Sequence, residues 1–438
     1  MNKLFNVAAA VAIAPLAGAF AGEADGDLAA RLAQLEKIVA EQSARIEQQE
    51  AQLSAVRSYE APQRALVSDL VQEELDSVLD ARIEDGLAAM KEGQFLSLGS
   101  GIDGLTLKGD ARFRYERRDR DQGSTDRDRH RLRLRAGGVW TNKSENFEIG
   151  AGLEVGAANA NSANATFSSG SPFESMAVFL DYAYAKHKWD KVSLTVGQMK
   201  NPFETTNVLF DSDIRPVGVV GQYKADGFFA TAGVFDVFEF GDVSSAAEAV
   251  MAAGQIGIAN EGEDSEYTLA LGYYHLNGPA NDVPGVGIAA NNDDYDFQII
   301  DVLGRFGTDL GGVGVELYGH YVVNIGADGV GSQSGIAGVD PDDENQAYVI
   351  GLSGKFEQFS AGYAYKHIEA DAIYTPFGDS DFGTGVSGSA NTEGHELKVG
   401  YKFSKNVSLG LTALLYEDIE VSGTEDGTLW QLDLKYKF

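Results

Sequence analysis

The feature that most constrains this chain is an alternation of apolar and polar residues that begins near Leu105 and continues to the last residue. In the final segment every second residue is apolar: Trp430, Leu432, Leu434, Tyr436 and Phe438. Successive side chains of a β-strand point to opposite faces of the sheet, so a period of two predicts strands with one apolar and one polar face. We therefore predict that residues 104–438 are all-β.

The lengths of the connections between these strands separate two all-β architectures. Alternation alone fits a soluble sandwich as well as a membrane barrel. Short connections such as 141–146 and 357–358 alternate with long polar ones, as in outer-membrane barrels with short periplasmic turns and long external loops. The terminal Phe438 resembles the C-terminal signal of bacterial outer-membrane proteins. We therefore predict an all-β transmembrane barrel over residues 104–438.

Strand parity gives the expected size of the barrel. About fifteen strands are visible directly, and a chain that enters and leaves a barrel on the same side needs an even number. Val250–Ile258 alternates in the same way and supplies the missing strand. The prediction is about 16 antiparallel strands around a water-filled lumen.

The N-terminus has the features of a secretory signal peptide. Lys3 is positively charged, Leu4–Ala19 is apolar, and Ala19-Phe20-Ala21 has the small residues that precede a cleavage site. We predict a signal peptide over 1–21 and a mature protein in the bacterial cell outer membrane. No later segment has the roughly 18 to 20 consecutive apolar residues of a transmembrane helix.

A heptad pattern runs from Leu28 to Val56, within the segment 22–57. One of its two apolar positions is occupied by Leu32, Val39, Ile46 and Leu53. Such a stripe predicts a periplasmic coiled coil, for which a homotrimer is the expected assembly. One amphipathic helix lying on the same protein also fits this pattern. Residues 58–103 are predicted to form a second amphipathic helix and a Gly/Ser linker.

The composition argues against several classes of function. The sequence has no cysteine, and its formal net charge of −32 disfavours nucleic acid as a partner. The six histidines are scattered without the spacing of a nucleophilic catalytic motif or a metal site. We therefore expect a protein that is not an enzyme, with no catalytic residues, no metal site and no cofactor.

Two consecutive predicted strands carry five arginines at polar positions: Arg112, Arg114, Arg131, Arg133 and Arg135. An arginine facing lipid at mid-depth costs about 2 to 4 kcal/mol, so these side chains are predicted to line the pore as a basic wall. Two interpretations fit. The wall attracts anions, or neighbouring carboxylates such as Asp110, Glu116 and Asp181 neutralise it across the strands.

Two further patterns define expectations for loops and for one strand. Acidic residues cluster at 293–294, 340–344 and 379–381 in predicted external loops. We expect solvated carboxylates there, with divalent cations that bridge lipopolysaccharide as the alternative. Val178, Leu180, Tyr182 and Tyr184 are expected to share the lipid-facing side of one strand.

Residues 197–219 form the third long connection and follow the fifth predicted strand. Their Gly-Gln-Met-Lys-Asn-Pro-Phe and Asp-Ser-Asp-Ile motifs, with Gly-Asp-Ala-Arg-Phe-Arg-Tyr at 109–115 and the Arg-x-Arg-x-Arg strand after it, resemble the putative porin family related to phosphate-selective porins. That group commonly carries an N-terminal coiled coil, and the resemblance covers essentially the whole mature chain. It implies a trimeric channel of about 16 strands with a preference for anions or phosphate. It also implies a constriction loop that contains Lys200, Asn201, Asp211, Asp213 and Arg215.

The predicted function is passive diffusion of small hydrophilic solutes or inorganic anions through an outer-membrane channel. The expected partners are these solutes, outer-membrane lipid and lipopolysaccharide, and further copies of the chain in a homotrimer. The alternative is an envelope tether whose barrel is an anchor and whose coiled coil contacts peptidoglycan or a periplasmic partner. An anchor alone does not require so wide a barrel, because small barrels of about 8 strands fill their own interior.

Overall fold

The structure is a computed structural model. It describes residues 104–120, 126–156, 160–238, 249–262, 265–277, 297–327, 340–383, 389–419 and 426–438. The predicted signal peptide (1–21), coiled coil (22–57) and second helix with its linker (58–103) lie outside the described residues, as does the acidic cluster at 293–294. Within the described ranges, no α-helix is long and apolar enough to cross a membrane.

The described residues form one sheet of seventeen strands. In chain order the strands are β1 (Leu105–Arg120), β2 (Arg127–Asn142), β3 (Phe147–Val155), β4 (Ala165–Thr166), β5 (Val178–Trp189), β6 (Val192–Gln198), β7 (Val217–Ala225), β8 (Phe228–Phe238), β9 (Ala249–Glu261), β10 (Ser265–Asn277), β11 (Phe297–Asp309), β12 (Gly314–Asn324), β13 (Gln346–Phe356), β14 (Phe359–Ile368), β15 (Thr392–Lys402), β16 (Val407–Asp418) and β17 (Asp426–Lys437).

The sheet closes into a barrel because its first and last strands pair with each other. β1 pairs with β2 on one side and with β17 on the other, so that Phe113 lies opposite both Leu132 and Leu434. The two-residue strand β4 pairs with β2 beyond the end of β3, whereas β3 pairs directly with β5. Setting β4 aside, the ring has sixteen antiparallel strands, and the predicted number is confirmed.

Apolar side chains cover the outside of the ring. Leu107 of β1, Leu269 of β10 and Ile350 of β13 are 72%, 52% and 59% exposed, respectively. In water, such exposure would be unfavourable by about 25 cal/mol for each Å² of apolar area. The exterior is therefore suited to lipid, and the alternate residues of each strand face the lumen.

The two ends of the barrel differ in their connections. Turns of two to four residues join the strands at one end, which we call the short-turn end, and longer connections lie at the other, the long-loop end. Phe438 closes the seam at the short-turn end, where it exchanges backbone hydrogen bonds of 2.9 and 3.0 Å with Gly109. A Cβ at Gly109 would lie 2.3 Å from the Phe438 ring, so this position requires glycine.

A β-bulge in β5 changes which of its side chains face the lumen. Against β3, Leu180 pairs with Leu153 and Tyr182 pairs with Gly152. Asp181 is therefore an extra residue in the ladder. A bulge of this kind disrupts the strict alternation of side chains and places two consecutive residues on nearly the same face.

The bulge overturns one prediction. Val178 and Leu180 lie on the exposed outer face as expected. Asp181, Tyr182 and Tyr184 instead line a cavity inside the barrel. The expectation that Tyr182 and Tyr184 share the lipid-facing side is wrong, because an inserted residue reverses the phase of the strand beyond it.

Parts of three loops fill the lumen from the long-loop end. L2 connects β3 to β5 (described part 160–177), L3 connects β6 to β7 (199–216), and L7 connects β14 to β15 (described parts 369–383 and 389–391). Buried apolar side chains of L3 and L7 form one cluster with inward-facing residues of the wall. The largest apolar core of the described residues therefore lies inside the barrel and surrounds two loops.

Candidate pore constriction

L3 leaves the wall after the fifth strand of the ring, as predicted, and lies inside the lumen. Its base is closed by the Met199 N–H, which donates to the Pro216 carbonyl at 2.9 Å. Phe203 and Phe210 pack on the Tyr274 ring of β10, with centroid distances of 5.1 and 5.4 Å. These aromatic contacts hold L3 against one side of the wall, so that it narrows the lumen from that side.

Polar side chains of the wall hold the backbone of L3. The Gln255 amide of β9 accepts a hydrogen bond from the Glu204 N–H and donates one to the Glu204 carbonyl, both at 2.8 Å. Arg305 of β11 donates to the Thr205 carbonyl at 2.6 Å. Backbone groups buried away from water need such partners, and here the barrel wall supplies them.

A buried histidine completes this attachment. His320 of β12 is hydrogen-bonded through Nδ1 to Thr206 Oγ1 of L3 and through Nε2 to the Asp301 carboxylate of β11, both at 2.8 Å. Thr-His-Asp contacts of this kind resemble the activated nucleophile of a hydrolase. However, the side chains of His320 and Asp301 are 0% exposed, so no substrate reaches them. The group positions L3.

L7 packs beside L3 and brings an acidic cluster into the barrel. The Asp211 N–H of L3 donates to the Phe377 carbonyl of L7 at 2.7 Å. The Lys366 ammonium of β14 lies 3.1 Å from the carboxylates of Asp379 and Glu396. The expectation that residues 379–381 form a solvated external cluster is wrong, because L7 folds inward and the wall supplies cations for its carboxylates.

The basic wall faces these loops, and two of its arginines bind L7 and the neighbouring strand. Arg114 forms a bidentate pair with Asp433 of β17 at 2.7 and 3.0 Å and donates to Asp381 of L7 at 2.8 Å. Arg131 lies 3.3 Å from Glu116 and 3.6 Å from Asp381. The planar guanidinium group is suited to bidentate contacts of this kind. Carboxylates therefore compensate both charges.

Two further arginines bind Asp213, near the C-terminal end of L3. Arg135 donates to Asp213 at 2.5 Å and to Glu154 of β3 at 3.2 Å. Arg133 lies 2.9 Å from Asp110 of β1 and 3.3 Å from Asp213. Two arginines of β2 thus share one carboxylate of L3, which ties this part of the loop to the wall.

Arg112 binds an amide of L2. Its guanidinium donates twice to Asn164 Oδ1, and it has no ion pair within the described residues. The Ala163 N–H of L2 donates to Asp213 at 3.1 Å, which joins L2 to L3. The basic wall is therefore the surface on which L2, L3 and L7 meet, and four of its five arginines have carboxylate partners.

Two loop carboxyls have pKa values below their usual range. Burial alone would raise the pKa of Asp213, but Arg135 and Arg133 outweigh burial and hold that pKa well below the usual range. Burial is likewise outweighed at Asp381, where Arg114 and Arg131 lower the pKa to about 2. Both carboxyls are ionised at neutral pH.

The pKa of Asp211 shifts in the opposite direction. Burial, and then the negative charge of Asp379, raise the pKa of Asp211 to about 8. Asp211 accepts hydrogen bonds from the backbone N–H groups of Asp213 at 2.7 Å and Ser380 at 3.4 Å, and no cation of the described residues forms an ion pair with it. L3 therefore carries two carboxyls, two residues apart, whose pKa values are shifted in opposite directions.

The other residues of the predicted constriction loop have separate surroundings. Lys200 is exposed and lines the lumen. Asn201 Oδ1 accepts a hydrogen bond from the Phe203 N–H at 3.1 Å, within a turn at the base of L3. Arg215 donates to Asp181, the bulge residue, at 2.8 Å. Of the two cations in L3, Arg215 is paired and Lys200 has no ion pair within the described residues.

Sequence reasoning missed several residues that hold the loops: Asn164, Gln255, Asp301, His320, Lys366, Asp379 and Asp381. A signal existed for Asp301 and His320, which occupy inward positions of strands whose other inward residues include Leu303 and Val322. A charged residue at a buried position requires a partner. No sequence signal identified Asn164 or the inward course of L7.

Below L3, toward the short-turn end, the lumen contains a cavity of about 540 Å³. Four lysines line it, and we call them the cavity lysines: Lys108, Lys186, Lys200 and Lys437. None of the four forms an ion pair within the described part of the chain. Three carboxylates also line the cavity. Arg133 binds Asp110, and Arg215 binds Asp181. Glu148 accepts a hydrogen bond from the Tyr184 hydroxyl at 3.2 Å.

The described side chains were also searched for a metal-binding site. Within the described ranges, no group of three or more His, Cys, Asp and Glu side chains is arranged to hold a metal ion. What the geometry provides is a lumen narrowed by L3 and L7, with a cavity beneath them that exposes ammonium groups. Such an arrangement sorts solutes by size and charge.

The barrel was compared with solved structures. The high-pH structure of Pseudomonas putida OprB is 11% identical, with a TM-score of 0.54, and the alignment covers 77% of this chain and 94% of that one. A loop-deletion variant of OmpT, an outer membrane protein of Vibrio cholerae, is 13% identical over 77% and 100% of the two chains, with a TM-score of 0.44. A triple variant of the Rhodopseudomonas blastica porin is 14% identical over 76% and 100%, with a TM-score of 0.45. The first similarity indicates a shared fold and, at this identity, nothing beyond it.

The sequence comparisons identify the family. A search of curated proteins finds no significant match. Residues 120–280 and 280–438 match the family described as "Putative porin". These matches cover most of the barrel, including the basic wall from Arg131 onward and all of L3. The chain thus belongs to the putative porin family, and its sixteen-stranded ring is an outer-membrane porin barrel.

Proposed function

We propose that this porin is a passive diffusion channel that prefers anions. The observation that carries the proposal is the cavity below L3, where the four cavity lysines face the lumen without ion pairs. An ammonium group that is exposed and uncompensated attracts anions, and a narrow lumen with low-dielectric walls focuses its field. Solutes that pass L3 and L7 enter this cavity before they reach the short-turn end.

The basic wall has a different role in this proposal. Arg114, Arg131, Arg133 and Arg135 are engaged by carboxylates of L3, L7 and adjacent strands, so little of their charge acts on a passing ion. They hold the loops that set the width of the constriction. Transport by this route is diffusion through water and requires no nucleotide, cofactor or covalent step.

The assembly and the N-terminal organisation predicted from the sequence belong to the same proposal. It comprises a homotrimer and a periplasmic coiled coil over 22–57. Phosphate as a specific solute is not favoured, because four of the five arginines suited to bidentate phosphate contacts pair with carboxylates and Arg112 binds Asn164. Cross-linking of the full mature chain and of a chain without residues 22–103 would show whether the stalk sets the trimer.

The decisive measurement is the reversal potential of the purified protein in a planar bilayer under a potassium chloride gradient. We expect an anion-selective potential for the wild type. In Lys186→Gln/Lys200→Gln the chloride-to-potassium permeability ratio should fall by about two-fold or more, because two positive charges without ion pairs leave the focused field of the cavity.

A matched variant controls for the change in net charge. Lys143→Gln/Lys405→Gln removes the same charge from exposed residues of two short turns, outside the cavity, and should leave the permeability ratio nearly unchanged. A cation-selective wild type, or equal shifts in the two double variants, would contradict the proposed anion preference.

A further inference from the structure

Two tyrosines that the β5 bulge turns inward form an aromatic surface in the same cavity. The Tyr182 ring lies over Gly152 of β3, and the Tyr184 ring lies over Gly150. A Cβ added to either glycine would come within 2.4 Å of the ring above it, and one at Gly137 of β2 would lie 2.3 Å from the Tyr182 hydroxyl. Each ring therefore lies along the wall with one face against glycine backbone.

The opposite faces of these rings are directed at the cavity. Both tyrosines line it and are partly exposed, and their ring centroids are 6.0 Å apart with planes inclined by 40°. The Tyr184 hydroxyl is fixed by its contact with Glu148 at 3.2 Å. Two anchored rings side by side provide a surface on which a planar group can stack.

Ammonium groups flank this surface. Lys186 follows Tyr184 by two residues on the same inward face of β5, and its ammonium lies 3.5 Å from the Gln222 side-chain oxygen. Lys200 enters the cavity from the base of L3. The volume of about 540 Å³ lies within the range of cavities that hold small organic ligands, about 300 to 1,000 Å³.

We propose that Tyr182, Tyr184, Lys186 and Lys200 form a binding subsite for small aromatic carboxylates on their way through the pore. The carboxylate pairs with the two ammonium groups, and the ring stacks on the tyrosines. The subsite rests on the proposed function in that its ligand reaches it through the pore, but the ring contact adds selectivity that charge alone does not give. Weak binding suits a channel, since a solute must also leave.

The test compares two carboxylates of equal charge and similar size. Chloride current through single channels is recorded while benzoate or cyclohexanecarboxylate is added to both chambers. Benzoate should block at a lower concentration than cyclohexanecarboxylate. In Tyr182→Leu/Tyr184→Leu the half-blocking concentration of benzoate should rise about five-fold, the size of a typical aromatic contact, and that of cyclohexanecarboxylate should stay unchanged.

Three further variants sharpen the result. Tyr182→Phe/Tyr184→Phe keeps the rings and should retain the block by benzoate, and Tyr273→Leu, on the lipid-facing side of β10, should have no effect. Lys186→Gln/Lys200→Gln should weaken the block by both carboxylates. If the double leucine variant does not assemble, Tyr184→Leu alone should still weaken the block by benzoate selectively.

The subsite and the proposed function fail in different ways. Equal block by the two carboxylates, unchanged by the leucine substitutions, would show that the rings only cover glycines, and the subsite would be rejected with the anion preference intact. Absence of anion preference under a salt gradient would reject the proposed function. The ratio between two carboxylates of equal charge would still decide the subsite.

Discussion

The basic wall and the cavity lysines lie on the same barrel, and β1 contributes to both, yet their charges have different surroundings. Arg114 and Arg131 are 7% and 6% exposed and contact three carboxylates between them. Lys108, six residues from Arg114 along β1, is exposed and has no ion pair within the described residues. Both sets are positively charged. The arginines bind carboxylates of the loops and strands, whereas the cavity lysines have no ion pairs within the described residues.

This difference shows why the charge of a pore wall cannot be inferred from its cationic residues alone. A buried ion pair costs desolvation energy and is retained only when partners satisfy it. Its field in the lumen is largely cancelled by those partners. A lysine without an ion pair keeps its field, so under the proposed function the four cavity lysines influence a passing ion more than the four paired arginines.

The largest expected effect comes from removing one buried arginine of the basic wall. Arg114→Met leaves Asp433 and Asp381 without their main cation, and the loss of one partner of a buried pair costs about 3 to 5 kcal/mol. Lys437→Met, on the exposed side of the comparison, should change the free energy of unfolding by no more than about 0.5 kcal/mol. Urea unfolding in lipid vesicles, followed by tryptophan fluorescence, measures both changes.

A double variant shows whether the effect arises from the unpaired carboxylate. Arg114→Met/Asp433→Leu removes both partners, and it should recover part of the stability that the single substitution loses. If Arg114→Met and Lys437→Met were equally mild, the basic wall would not be the surface that holds the loops.

The second prediction concerns the positive charge of Arg133 and Arg135, which Asp213 compensates. Asp213→Asn keeps the shape of the side chain but removes the carboxylate that Arg133 and Arg135 share. The chloride-to-potassium permeability ratio should rise by about two-fold, because positive charge at the constriction becomes uncompensated. The reversal potential under a salt gradient measures this ratio, and a fall would mean that these arginines do not face the pathway of ions.

A pH-dependent effect concerns Asp211, the L3 carboxyl that forms no ion pair with an arginine of the described residues. Its pKa is raised to about 8, above the value of about 3.9 in an unfolded chain. Between these values the folded protein holds a proton that the unfolded chain releases, so the contribution of this group to stability is present at low pH and declines as pH rises toward 8. Asp211→Asn should remove this decline.

Unfolding measured between pH 5 and about 8.5 tests this prediction, with the range set by those two pKa values. Asp213 provides the contrast. Its lowered pKa contributes stability above the unfolded value that is lost only in strong acid, so Asp213→Asn should keep the decline above pH 5 that Asp211 produces. Parallel curves for wild type and Asp211→Asn would contradict the assignment.

Much of the barrel was predictable because a membrane imposes a strict period on each strand. The sequence predicts sixteen strands from three features: the alternation from Trp430 to Phe438, the short turns, and the additional strand at Val250–Ile258. The position of L3 followed from counting strands. These features depend on neighbours in the sequence and on one physical rule, that lipid and water face opposite sides of a strand.

The contents of the lumen were less predictable, because they depend on residues far apart in the sequence. Arg114 and Asp381 are separated by 267 positions, and nothing near either residue indicates the contact. The bulge at Asp181 inserts one residue and reverses the phase of Tyr182 and Tyr184, which alternation alone does not reveal. Both interpretations of the basic wall were open until the inward course of L7 placed carboxylates beside it.

The attachment of L3 on two sides has a mechanical consequence. Gln255 and His320 fasten one part of the loop to β9 and β12, while Asp213 is fastened to Arg133 and Arg135 of β2. A ring of strands one layer thick would otherwise flatten readily, but L3 acts as a strut across its width. Squeezing the ring toward an oval would strain hydrogen bonds at both ends of this strut, so the aperture should keep one diameter under lateral pressure from the bilayer.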